Sequence, residues 1–134
     1  MSAADRLRPP PEERLSAPVR RVDLPAAAAA LQKEPHAAIN GHRQIVVFRH
    51  GLVTLVSYAF DPGGILREHQ ADGVVTILVL AGHLRVSAEG EQYELDRGQL
   101  VGLAPNVPHT VEATVASEML LTVSLITAHA TGAA

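Results

Sequence analysis

The sequence has no cysteine and no tryptophan, and aromatic residues make up only 3% of its 134 positions. Without cysteine there is no disulfide framework, no thiolate metal site and no cysteine nucleophile. Its absence fits a reducing compartment. Few aromatics leave little for bases to stack on, and a net charge of −3 supplies no basic face, so nucleic acid is not an expected partner. No apolar run approaches the roughly 18 residues that span a bilayer. The N-terminus lacks the basic start and apolar stretch of a signal peptide. The expectation is a soluble cytoplasmic chain with no membrane partner. No G-x-S-x-G elbow and no glycine-rich phosphate loop occur, and no strand face carries the paired carboxylates of a glycosidase.

Hydrophobic residues make up 47% and charged residues 19%, enough for one core of ordinary domain size. Residues 1–18 contain Pro9, Pro10 and Pro11 among mixed arginines and glutamates, and are expected to form a flexible tail. Residues 19–43 hold "VDLPAAAAALQKEP", which predicts one short helix. Asp23 caps it, Pro25 suits its first turn and Pro35 stops it. With so few large apolar residues it should pack as a lid or edge element.

From residue 44 the period changes. Runs rich in Val, Ile, Leu and Thr alternate with turn residues: "QIVVFRH", "LVTLVSYAF", "ILREHQ", "VVTILVLAG", "HLRVSAEGEQYEL", "QLVGLA", "HTVEATV" and "MLLTVSLIT". Short strands this closely spaced predict an all-β sandwich or barrel. They leave no room for the crossover helices of a parallel sheet. The barrel is assigned to residues 44–127 and a C-terminal tail to 128–134.

Two stretches carry a resemblance. "PGGILREHQADGVVTILVLAGHLRV" resembles the first conserved motif of the cupin family, and "DRGQLVGLAPNVPHTVEA" resembles the second. The resemblance implies a double-stranded β-helix, a jelly-roll barrel whose two sheets close round a pocket. In the second motif Asn106 stands where the turn glycine is usual. Asparagine tolerates a left-handed backbone, so the turn can persist and aim His109 inward.

The resemblance further implies three histidines and a glutamate around a metal. Here the first histidine is His69 and the last is His109. The second histidine falls on Ala71. The glutamate falls on Val75, or on Thr76 if the loop aligns one residue later. Alternation along the strands is expected to put Arg67 and Ala71 on the face of His69, and Val111 and Ala113 on that of His109, with Glu112 turned away. Asp72, in a loop, is the best substitute carboxylate. Together with His69 and His109 it would make the two-histidine-one-carboxylate set of iron-type sites.

Two functions follow. The leading one is a small-molecule-binding barrel without a complete metal site and with no cofactor, serving binding, sensing or an undetermined reaction. Its pocket would be lined by His69, His109, Arg67, Ala71, Val75 and Tyr58. The alternative is a metal-dependent oxygenase or isomerase holding Fe, Mn, Ni or Zn through His69, His109 and Asp72. Arg67 could meet an anionic ligand, or be a solvated edge residue. His36, His42, His50, His83 and His129 fall near turns or strand ends and are expected to be exposed. A homodimer is implied by resemblance to small cupins, and apolar edge strands are risky if left open.

Overall fold

The computed structural model describes residues 17–35 and 38–126, apart from the side chain of His69. The expected tails, through residue 16 and from residue 128, lie outside the described residues, as do His36 and His129.

One helix, α1 (Leu24–Gln32), precedes nine strands. Its start is set as the sequence predicts: the Asp23 carboxylate accepts from the Ala26 N–H at 3.0 Å, and Pro25 occupies the first turn. Strands β1 (His42–His50), β2 (Val53–Phe60), β3 (Ile65–His69), β4 (Gly73–Ala81), β5 (His83–Ala88), β6 (Glu91–Asp96), β7 (Leu100–Leu103), β8 (His109–Ala113) and β9 (Ser117–Leu125) follow. They form two antiparallel sheets, ordered β1-β2-β9-β4-β7 and β3-β8-β5-β6. The all-β jelly-roll architecture is therefore as expected.

The inward faces meet in one apolar cluster. Val56, Tyr58, Phe60, Val75, Ile77, Val79, Met119 and Leu121 enter it from the larger sheet. Leu84, Val86, Leu95, Val111 and Ala113 enter from the smaller one. Burial of this kind stabilises at about 25 cal/mol per Å² of apolar surface removed from water. Ala28 and Leu31 of α1 are buried outside this cluster, and the helix packs against β2 and β1. This explains why Ser57 and Ala59, which alternate with the inward residues of β2, are buried as well.

The edge strands β1 and β3 meet at one end of the barrel. Ile65 N–H donates to the Asn40 carbonyl at 2.9 Å, and Asp61 N–H donates to the Gly41 carbonyl at 2.8 Å. The backbones are so close that a Cβ on Gly64 would sit inside the van der Waals shell of the Gly41 carbonyl oxygen. Only glycine fits there.

The two outward faces differ in chemistry. On the smaller sheet, Glu112, Arg85 and Glu94 stand in register, and His83 stands opposite Asp96. Arg85 Nε donates to Glu94 at 2.7 Å, and its other arm lies 3.7 Å from Glu112. His83 Nδ1 lies 2.8 Å from Asp96 and Nε2 lies 2.7 Å from Glu94. Carboxylates only accept, so both ring nitrogens donate and the ring is the imidazolium. On the larger sheet the outward rows are Ser57, Leu120, Leu78, Leu100 and Leu55, Thr122, Thr76, Gly102, without a charge.

Hydrogen bonds from His83 to Asp96 and then to Glu94 raise the pKa of its ring above the ordinary histidine value. Hydrogen bonds from His83 and Arg85 lower that of Glu94. The imidazolium's contribution is thus complete below about pH 6.5 and fades as pH rises through the raised folded value. Glu94 contributes above its ordinary range and loses that contribution as pH falls through its lowered value. Thermal melts should show the wild type losing stability between pH 6 and pH 9 more than His83→Gln does; parallel curves for the two would refute this assignment.

Candidate functional site

One barrel end gathers the positions singled out in the sequence. β3 ends there and β4 begins, so the short connection through Ala71 and Asp72 lies at this rim. β7 ends there and β8 begins, across the turn containing Asn106. Asn106 adopts φ 62°, the left-handed conformation expected of it. Its backbone N–H donates to the Ala71 carbonyl at 2.8 Å, and its side-chain amide donates to Asp72 Oδ1 at 3.4 Å. The turn therefore ties the two rim segments together.

His109 opens β8 and is only 1% exposed. Its Nδ1 lies 3.0 Å from the Val107 carbonyl. A carbonyl only accepts, so Nδ1 carries the proton and Nε2 of the neutral ring bears the lone pair. Val111 and Ala113 share its inward face and are fully buried, while Glu112 turns outward, as alternation predicts. His69 is the register partner of His109 across the β3–β8 pair, which brings their backbones together; the His69 side chain itself lies outside the description.

Val75 is buried, and in register with Leu103 and Val123. Ala71 is partly buried against the core. Val46, Leu66, Val101, Val107 and Val123 are likewise partly buried apolar side chains packed on the cluster. This edge of the core is hydrocarbon.

Arg67 departs from the sequence expectation. The β3–β8 register shifts between Leu66 and His69, because three steps on β3 oppose two on β8. Such a bulge breaks alternation, so parity counted from His69 does not carry Arg67 to the inner face. Arg67 is exposed.

Tyr58 lies inside, 5% exposed, on the inward face of β2. Burial pushes its phenol up to about 12. His42, expected to be exposed, is instead partly buried beside it. Its ring centroid lies 5.7 Å from Tyr58 and 5.5 Å from Phe60, and Tyr58 stacks on Phe60 at 5.9 Å. His42 Nδ1 donates to the Ile65 carbonyl at 3.1 Å. The signal was available in the sequence: His42, Tyr58 and Phe60 fall at strand positions that alternation can bring together, but the β1–β2 register was needed to see it.

The donor set does not fit a resident divalent cation. Among the described residues no group of three His, Cys, Asp or Glu side chains could hold a metal ion. Two positions that the cupin resemblance would make ligands are the hydrocarbon side chains of Ala71 and Val75, and Asp72 is engaged by Asn106. A separate groove of about 270 Å³ lies outside the barrel, lined by residues that include Glu68, Glu89, Glu91 and Thr110.

A two-sheet jelly roll with an inward histidine at the start of β8 defines the class of protein. A family model described as the cupin domain matches residues 56–125, more than half of the chain, and the chain belongs to the cupin family. No curated protein matches it. Among solved structures it is similar to a conserved protein of unknown function from Streptococcus pyogenes (20% identity, 81% of this chain and 90% of that one, TM-score 0.66). It is also similar to a cupin superfamily protein from Desulfitobacterium hafniense (15% identity, 73% and 86% covered, TM-score 0.64). A third is the salicylate 1,2-dioxygenase of Pseudaminobacter salicylatoxidans (17% identity, 74% of this chain but 31% of that one, TM-score 0.62). At these identities the likeness is one of fold. Among the described residues no helix is long and apolar enough to cross a membrane.

Spectrophotometric titration should find a tyrosine that ionises only near pH 12 and disappears in Tyr58→Phe. A phenolate signal from Tyr58 near pH 10 would contradict its burial.

Proposed function

We propose that this cupin binds a small apolar or weakly polar molecule in its barrel without a resident metal, as a binding or sensing module or an enzyme of undetermined reaction. One observation carries the reading. A fully buried imidazole, its tautomer fixed by the Val107 carbonyl, faces a core that is otherwise hydrocarbon. Such an imidazole gives a ligand one directional acceptor within an apolar surround, the usual composition of small-molecule sites. His69 and Ala71 complete the proposed lining beside Val75, and the site is completed deeper in by Tyr58. A charged ligand would lose more hydration there than one neutral acceptor restores.

A metal-dependent reaction makes the opposite demand, since a divalent cation needs several donors and an offsetting carboxylate. Protein purified without added metal is expected to contain well under one equivalent of Fe, Mn, Ni or Zn. It should be stabilised in thermal melts by members of a panel of small apolar compounds, with the effect reduced in His109→Ala. Near-stoichiometric metal, lost in both His69→Ala and His109→Ala, would overturn the reading and make the metal enzyme the better account.

The proposed assembly is a homodimer joined through the outward face of the larger sheet. The support is its uncharged rows, where Val74 is 46% and Leu100 54% exposed. A two-fold contact needs a patch compatible with itself, which a neutral apolar face provides. Leu100→Glu, at an exposed site, should leave the fold intact and shift the mass in analytical ultracentrifugation from dimer to monomer. A wild type that sediments as a monomer at high concentration would end this part of the proposal.

A further inference from the structure

Tyr58 is buried to 95%, yet among the described residues its contacts are rings, His42 and Phe60, and none is a hydrogen bond from its hydroxyl. A buried hydroxyl without a partner costs free energy that native structures rarely leave uncompensated. Its surroundings offer a reason. Gln44 is the register partner of Tyr58 on the same face of β1, and Gln44 is exposed. Val46 and Leu66, from the two edge strands, are only partly buried. The β1–β3 seam is closed at its other end by Asn40, Ile65 and His42. Past that seam the inner face of β1 is open, and Tyr58 lies behind the opening.

We infer that the Tyr58 hydroxyl donates a hydrogen bond to a single uncharged acceptor oxygen of the barrel's ligand, a ketone, aldehyde or amide carbonyl on a planar apolar body. This rests on the binding reading above and adds the chemistry of the ligand. The phenol does not ionise near neutral pH, so it is a donor. The stack of His42, Tyr58 and Phe60 presents aromatic surface against which a flat ring packs well. Gln44 supplies an amide at the opening, able to donate or accept. Val46, Leu66 and Met119 disfavour a carboxylate, which would shed its water into hydrocarbon.

The probes are acetophenone, ethylbenzene and benzoate, which share a ring and differ in the acceptor. The measurements are thermal melts and binding isotherms with wild type and Tyr58→Phe. Acetophenone is expected to bind wild type about five-fold more tightly than ethylbenzene, the worth of one net hydrogen bond. Tyr58→Phe should remove that preference and keep the ethylbenzene affinity. Free of ligand, Tyr58→Phe should melt within about 2 °C of wild type or higher, since it breaks no hydrogen bond in the barrel. If wild type binds both neutral probes equally, or Tyr58→Phe retains the preference, the tyrosine assignment fails while the binding barrel stands. Tighter binding of benzoate than of acetophenone overturns the uncharged class. If no probe binds wild type, this inference and the binding reading fall together.

Discussion

Antiparallel strands put every second side chain on one face, and here two sheets close with those faces inward. That constraint decides which polar groups the barrel can hold. An inward side chain must be hydrocarbon, or carry its own means of satisfying its polar atoms. His109 meets the second condition locally, because the chain turns at Asn106 and brings the Val107 carbonyl to Nδ1. Were that turn to open, the imidazole would have to find a new acceptor or leave the core.

The same rule accounts for the hydrocarbon at positions 71 and 75. A glutamate on the inward face of β4 is tolerable when a cation sits against it and costly when none does. Replacing it by valine removes the need for the cation. Packing against Leu103 and Val123 then stabilises the strand pair that the charge would have burdened. Loss of the donors and gain of an apolar interior are two aspects of one change.

Much of this was readable in the chain. Alternation in "HTVEA" puts His109, Val111 and Ala113 on one face, and the burial of all three follows from that period alone. The helix was legible from Asp23, Pro25 and the alanines, and the turn from Asn106 between two prolines. What failed was local. The β3–β8 bulge adds one residue between Leu66 and His69, and nothing in "LREH" announces it, so Arg67 was assigned by a parity the strand does not keep. His42 escaped notice because its neighbours, Tyr58 and Phe60, lie across a hairpin, and its hydrogen-bond acceptor lies on the other sheet. Contacts between elements depend on register and closure, and a linear pattern carries only the period.

The outward faces lead to a different kind of consequence. One flank of the molecule is laced by His83, Arg85, Glu94, Asp96 and Glu112, and holds its hydration tightly. The other shows leucine, threonine and serine, from which water departs cheaply. Solutes that are excluded from protein surfaces, such as sulfate, therefore act on the two flanks unequally. They drive the dry flank toward any available cover, while simple salt at moderate strength screens only the laced flank. The barrel's colloidal behaviour should accordingly follow the identity of the anion more closely than ionic strength.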